Sequence, residues 1–185
     1  MDIRNLIKEA LEKQLITKIS VFDFDGTLVD SPLPEYGRKE YEEKTGNEWP
    51  HKGWWGREES LDTAIFDIPT IQSVKKTYDE EKNNPNTLMV MLTGRIGKLS
   101  NQVESILSSK GFIFDKYIYN NGGSTIDSKI NSLNELLNEY PNVTYVLLND
   151  DRLEHIPSFK AWGEDKLNTG RLKSFNINVV PSKNH

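Results

Sequence analysis

The chain has 185 residues, of which 36% are hydrophobic and 28% charged, with a formal net charge of −5 and no cysteine. That length and balance fit one folded domain with a buried core, and exclude a chain too polar to fold. The negative balance argues against a surface built throughout to hold nucleic acid, and the missing cysteines exclude disulfides, thiolate nucleophiles and cysteine-bound zinc.

Ile3, Leu6, Ile7, Ala10 and Leu11 recur at helical spacing behind a capping Asp2, which predicts a first helix lying on the body of the domain. The segment is charged throughout, unlike a signal peptide, and no apolar run approaches the ~20 residues that span a bilayer. A cytoplasmic protein with no membrane partner is expected. Lys18–Phe22 is a short apolar run that stops at Asp23, as buried parallel strands do. Residues 30–60 differ in kind: Pro32, Pro34, Pro50 and interspersed glycines accompany Trp49, Trp54 and Trp55. They predict an irregular insertion with one short helix near Arg38 to Lys44.

Ile68 to Lys82 reads as a helix with Pro69 in its first turn. A strand at Thr87 to Leu92, a helix at Lys98 to Lys110 closed by Gly111, and a strand at Phe114 to Tyr119 follow. Then come a helix at Lys129 to Glu139, a strand at Val143 to Leu148 and a last strand at Phe175 to Val180. Such alternation predicts an α/β fold, a Rossmann-like doubly wound parallel sheet, as one domain over residues 1–185. The insertion at 30–60 is too short for a large cap and should form a small flap. An open site of that kind admits bulky substrates.

Ligands in such sheets bind at the carboxyl ends of the strands. The first strand ends in Asp23-Phe24-Asp25-Gly26-Thr27, the second in Thr93-Gly94-Arg95, and the fourth in Asp150-Asp151. Lys129 opens the helix after the third. The topology therefore gathers all these groups in one crevice. Their chemistry suits phosphate, whose charged oxygens repel an anionic nucleophile unless a divalent cation offsets the repulsion. Several aspartates without a histidine cluster suit magnesium. Asp23 can attack phosphorus, and Asp25 can protonate the leaving oxygen and then deprotonate water. Gly26 permits the sharp turn, Thr93 can donate to a phosphoryl oxygen, and Lys129 supplies a fixed positive charge. Asp23, Asp150 and the backbone carbonyl of Asp25 would ligate the metal, with Asp151 as a further ligand or an orienter of one.

Asp23-Phe24-Asp25-Gly26-Thr27-Leu28 resembles the first signature of the haloacid dehalogenase superfamily. Thr93, Lys129 and Asp150-Asp151 match its second, third and fourth signatures in order. The resemblance covers residues 18–152 and implies a Rossmann-like core, an aspartyl-phosphate intermediate and Mg²⁺. Gly53-Trp54-Trp55-Gly56, the segment from Ser124 to Lys129 and the segment from Asp150 to His155 are similar to the Swiss Army Knife RNA-repair group of that superfamily. The implied activity is a phosphomonoesterase, with a 3′- or 5′-phosphorylated nucleic acid end among the expected substrates. Transfer to another acceptor, and a catalytically idle module that binds phosphate and magnesium, are the alternatives. A dehalogenase is disfavoured, because Asp25 and the Gly-Thr after it match phosphate chemistry.

Each residue also has a plainer role. Adjacent residues of an extended segment point opposite ways, so of Trp54 and Trp55 one can pack inward while the other faces substrate. Arg95 suits either a substrate phosphate, with Gly94 beside it, or a structural ion pair. Arg152 and His155 can orient the carboxylates, and His51, Lys52 and Arg57 can steer a phosphorylated substrate.

Overall fold

A computed structural model of the chain, which describes residues 2–181, contains a five-stranded, wholly parallel sheet. Its strands are β1 (Lys18–Phe22), β2 (Thr87–Ile96), β3 (Lys116–Asn120), β4 (Tyr145–Asp150) and β5 (Ser174–Val179), in spatial order β3-β2-β1-β4-β5. After β1 the chain builds outward to β2 and β3, then returns across the sheet to lay β4 on the other side of β1. That reversal opens a crevice at the carboxyl ends of β1 and β4, as the alternation of elements required.

Both faces of the sheet are covered, and the strand period sorts the side chains between them. Phe22, Met89 and Met91 pack against α3 (Gln72–Lys82) and α4 (Ser100–Ser109) through Val74, Tyr78, Val103 and Leu107. Ile19, Val21, Val90 and Leu148 pack against α5 (Thr125–Glu139) and α6 (Ile156–Asn168) through Leu133, Leu136, Phe159 and Trp162. Each such fully buried side chain contributes about 1.5–3 kcal/mol of transfer free energy. Helix α6 was not anticipated, because Pro157 and Gly163 interrupt the helical signal in its sequence. The proline sits harmlessly in the first turn, and Gly163 lets the helix approach the Phe175 ring, which an added Cβ would meet at 1.9 Å.

Several boundaries differ from the sequence expectation for local reasons. The third helix begins at Gln72 and not Ile68, because Pro69 lies in an extended stretch whose carbonyl accepts the Asp30 N–H at 2.9 Å. Helix α5 begins at Thr125, so Lys129 stands in its second turn and does not open it. Strand β2 runs on to Ile96, with a shift of register against β3 after Leu92. The helix expected near Arg38 is longer, α2 spanning Pro34–Thr45.

The first helix, α1 (Ile3–Leu15), forms behind Asp2, whose carboxylate accepts the Arg4 N–H at 3.2 Å. Its packing departs from expectation. Of the expected stripe, Ile3, Ile7 and Leu11 are between 56% and 70% exposed, so these side chains face outward, as does Leu15. The side chains of Leu6 and Ala10 lie outside the described residues. An ion pair from Lys13 to Glu139 at 3.0 Å and a hydrogen bond from Asn142 to the Gln14 carbonyl link α1 to the body. No helix among the described residues is long and apolar enough to cross a membrane.

The flap follows Asp30 and rests on β1 and β2. It carries α2 and a 3₁₀ turn at Glu58–Leu61, and is closed at its base by the Asp30–Pro69 hydrogen bond and one from Ile71 to the Leu28 carbonyl. Its centre is Trp54, 3% exposed, with its ring 4.6 Å from Trp49 and 5.7 Å from Phe66. The indole N–H donates to the Pro32 carbonyl at 3.0 Å. Gly37 in α2 makes room for that ring, since an added Cβ would lie 2.2 Å from it.

Candidate active site

Parallel register places the acidic residues. Phe22 pairs with Asn149, so the next positions, Asp23 and Asp150, stand side by side where β1 and β4 end. The Asp23 N–H donates to the Asn149 carbonyl at 3.0 Å, and one Asp23 oxygen accepts the Phe24 N–H at 2.7 Å. Gly26, at φ 68°, then turns the chain back, donating to the Val29 carbonyl at 2.8 Å.

Lys129 reaches between the two aspartates from α5. Its Nζ lies 2.6 Å from Asp23 Oδ2 and 2.7 Å from Asp150 Oδ2, and the residue is 1% exposed. Asp150 Oδ1 accepts the Arg152 backbone N–H at 3.0 Å. His155 is buried, with Nδ1 4.0 Å from the same oxygen, beyond hydrogen-bond reach. Asp151 completes the group: Asp23, Asp150 and Asp151 each offer an oxygen within 4.8 Å of the others.

Three carboxylates around one ammonium are short of positive charge. Burial pushes the Asp23 carboxyl up to about 7; Asp150 and Asp151 add to the rise and Lys129 opposes it. Burial alone would lower the Lys129 ammonium, but Asp23 and Asp150 outweigh it and raise it. His155 is pushed down, first by burial and then by Lys129, which keeps the ring neutral at pH 7. An oxygen-only donor set that is net negative fits a hard divalent cation.

A second cluster lies on the flap side. Arg95 Nε donates to Asp25 Oδ2 and Nη2 to Asp25 Oδ1, both at 2.8 Å. Arg95 Nη1 donates to the Trp55 carbonyl at 2.8 Å and to Ser60 Oγ at 2.7 Å. The guanidinium carbon lies 4.9 Å from the centre of the Trp55 ring. Ser31 adds a hydroxyl donor to Asp25 Oδ1. Burial would raise Asp25, but the Arg95 guanidinium outweighs it and holds the carboxyl below its usual range.

Between the clusters is a cavity of about 300 Å³ whose lining includes Asp23, Asp25, Trp55, Thr125 and Arg152. A larger hollow of about 490 Å³ beside Tyr36 and Asp67 touches none of the carboxylates of these two clusters. Gly94 lines the smaller cavity, and its lack of a side chain accommodates Thr125, whose Cγ2 an added Cβ would meet at 2.7 Å. Thr93 is buried at the end of the apolar part of β2; its Oγ accepts the Arg95 N–H at 3.1 Å and keeps its own proton to donate.

The sequence-identified residues therefore divide. Asp23, Lys129, Asp150 and Asp151 meet in one buried cluster, and Asp25 stands on the other side of the cavity with its carboxylate on Arg95. Of the expected substrate contacts, Trp55 and Gly94 face the cavity. Trp54 is a correction: packed on Trp49 and Phe66 in the flap core, it presents no surface to a substrate. For Arg95 the structural ion pair is the arrangement found, since every nitrogen of its guanidinium already donates. Thr125, Ser31 and Ser60 were not singled out in the sequence, because a hydroxyl in a turn carries no motif of its own. Arg152 was read there as an orienter of carboxylates; its backbone does that, and its side chain lines the cavity.

A family model described as "HAD domain family 1 in Swiss Army Knife RNA repair proteins" matches residues 38–185. The match includes Thr93, Lys129, Asp150 and Asp151 and begins beyond Asp23 and Asp25. An uncharacterized protein of Saccharomyces cerevisiae is 28% identical over 189 residues, covering 90% of this chain and 41% of the relative; the chain thus spans well under half of that protein. Among solved structures, a chain of the Pnkp1/Rnl/Hen1 complex superposes with a TM-score of 0.50 at 18% identity, covering 89% of this chain and 47% of the other. A haloacid dehalogenase-like family hydrolase from Streptococcus pneumoniae superposes with a TM-score of 0.50 at 14% identity, covering 88% of this chain and 94% of the other. These superpositions show the fold.

Proposed function

The chain belongs to the haloacid dehalogenase (HAD) domain family of Swiss Army Knife RNA repair proteins, and from that premise we propose that it is a magnesium-dependent phosphomonoesterase with Asp23 as nucleophile. One observation carries the reading: Lys129 bridges Asp23 and Asp150 at 2.6 and 2.7 Å beside a small cavity that also exposes Asp25. Two buried carboxylates held together at a strand-end crevice are costly as structure alone and useful as a phosphoryl-transfer site.

In this reading an Asp23 oxygen attacks phosphorus and the bond to the leaving oxygen breaks. Asp25 delivers a proton to that oxygen. Asp25 then takes a proton from water, the water attacks the phosphorus of the aspartyl-phosphate, and inorganic phosphate leaves as Asp23 is restored. Lys129 offsets the charge gathered on Asp23 and the phosphoryl oxygens, and Thr93 donates to one of them. Mg²⁺ would be held by Asp23, Asp150, Asp151 and the backbone carbonyl of Asp25. When bound, it supplies positive charge against the repulsion between carboxylate and phosphate.

The family's RNA-repair description supports a 3′- or 5′-phosphorylated nucleic acid end as substrate, and the site between flap and sheet, without a large cap, is compatible with one. The test is Mg²⁺-dependent phosphate release across aryl phosphates, nucleotides, phosphorylated oligonucleotides and a phosphopeptide. Turnover is expected to vanish on chelation and in Asp23→Asn. Phosphate release by a folded Asp23→Asn protein would remove Asp23 from the nucleophile's role.

A specific observation favours a second reading, an idle module that binds phosphate and magnesium. Both Asp25 oxygens accept from Arg95, so a proton on either competes with that ion pair. Wild-type protein that binds Mg²⁺ and phosphate yet turns over no member of the panel, including an aryl phosphate with its good leaving group, would establish the module.

A further inference from the structure

The cations around the cavity are unequally committed. Lys129 is bonded to Asp23 and Asp150. Arg95 has all three guanidinium nitrogens bonded to Asp25 and the flap. Arg152 differs: its backbone N–H holds Asp150, but its side chain makes no hydrogen bond or ion pair with another described residue and lines the cavity. It is half-buried. A guanidinium in that position has lost part of its water, and the carboxylate it influences, Asp25, is already bonded to Arg95. An anion arriving with the substrate would therefore meet unmatched donors in a planar fork.

The position of Arg152 also suggests which anion. The phosphoryl group under attack must lie against Asp23, where Lys129, Thr93 and the metal provide for its oxygens. At about 300 Å³ the cavity is at the small end for ligand sites, and takes that phosphoryl group together with the nearest part of its leaving group. With Asp23 taken by the phosphoryl group, the leaving group meets the remaining lining, which includes Trp55, Thr125 and Arg152.

The geometry points to Arg152 as a specificity residue for a second phosphate carried on the leaving group. The favoured substrates are phosphomonoesters whose leaving group is itself phosphorylated, as in a bisphosphate or a polynucleotide end, over esters with neutral leaving groups. This rests on the phosphomonoesterase reading and adds to it a substrate class.

The experiment compares a nucleoside 3′,5′-bisphosphate with the matching nucleoside 3′- and 5′-monophosphates, and a sugar bisphosphate with its monophosphate, using wild type, Arg152→Gln and Arg152→Lys. Wild type should favour the bisphosphate by about tenfold in kcat/KM, mostly through KM, with the preference shrinking as salt rises. Arg152→Gln should bring that ratio close to one, and Arg152→Lys should retain part of it. A preference in both pairs assigns the effect to the phosphate alone; a preference confined to nucleosides assigns it to phosphate read together with the base. Equal losses on mono- and bisphosphates would overturn the proposal, placing Arg152 on the transferring phosphoryl group, and an unchanged ratio would overturn it as well. If wild type releases no phosphate from any substrate, it is the phosphomonoesterase reading that fails. Calorimetric titration of the same bisphosphate and monophosphates into Asp23→Asn and Asp23→Asn/Arg152→Gln proteins with Mg²⁺ then still decides the role of Arg152. Circular dichroism of each variant verifies the fold.

Discussion

The two buried cations beside the aspartates occupy opposite kinds of ground. Lys129 comes from a sheet-packed helix and joins two strand ends that the register of β1 and β4 already sets side by side. Arg95 leaves the end of β2 and joins Asp25 to the flap, through the Trp55 carbonyl and the Ser60 hydroxyl. The first cluster stands on the strand ends themselves; the second is tied to the flap, whose Trp54, Leu61 and Phe66 belong to the same buried core as Phe22, Met89 and Met91. The proposed nucleophile and metal ligands thus lie at strand ends of the sheet, while the proposed proton carrier is tied through Arg95 to the flap.

The comparison breaks most sharply at Lys129. Lys129→Ala leaves Asp23 and Asp150 facing each other without their common cation, and removing one partner of a buried pair costs about 3–5 kcal/mol. Urea or thermal unfolding should show that loss, together with loss of turnover. Arg95→Ala should cost less, because Asp25 is 18% exposed at its side chain and can rehydrate if the flap lifts. Equal losses would mean that the flap is as rigid as the sheet.

Asp23 offers the next largest effect. Its folded pKa of about 7 stands above the ordinary carboxylate value of 3.8, so the folded protein holds that proton more tightly than the unfolded chain. Between roughly pH 4 and pH 7 the metal-free protein should therefore lose stability as pH rises, by an amount on the order of 4 kcal/mol. Asp25 has the opposite sign, its depressed pKa adding stability that is lost only as pH falls below about 4. Mg²⁺ held as proposed would favour the Asp23 carboxylate, so the rise in Tm it causes should be larger at pH 7.5 than at pH 5, and EDTA should reverse it. A Tm shift independent of pH would separate the metal from Asp23.

Gly37→Ala tests the flap alone. The added methyl meets the Trp54 ring at 2.2 Å, and overpacking of this kind costs about 1–3 kcal/mol. Limited proteolysis between Pro34 and Phe66 should rise while the unfolding of the sheet stays near wild type. A matching fall in global stability would instead join flap and sheet into one cooperative unit.

How legible each region was in the sequence follows from the same contrast. Asp23, Thr93, Lys129 and Asp150 were readable because apolar runs end abruptly before three of them, and a parallel sheet collects strand ends whatever the connections do. The exposed stripe of α1 was misread, because a repeating Ile and Leu pattern does not say whether a partner surface lies opposite it. Trp54 and Trp55 could be assigned opposite directions but not told apart, since the choice depends on Gly37 lying seventeen positions earlier in α2. The Arg95–Asp25 pair joins residues seventy apart and depends on how β2 extends past Leu92, which no local pattern shows.

The smallest effect gives the finest test. Ser60 is 35 positions from Arg95 in sequence and belongs to the flap, yet its hydroxyl accepts from the Arg95 guanidinium at 2.7 Å. Ser60→Ala removes one acceptor from a charged donor, about 1.5–3 kcal/mol at most and less where water can replace it. If Arg95 transmits the position of the flap to Asp25, this change should lower kcat a few-fold on alkyl phosphates, whose leaving oxygen needs a proton. Aryl phosphates, whose leaving group departs unaided, should be nearly unaffected. Arg95→Lys keeps the charge but loses the two-pronged fit, and should give the same pattern more strongly. Because both changes act on one guanidinium, the double variant should lose less than the two single losses added together. Strict additivity would mean that Ser60 acts independently of Arg95, and that the flap has no hold on the proposed proton carrier through it.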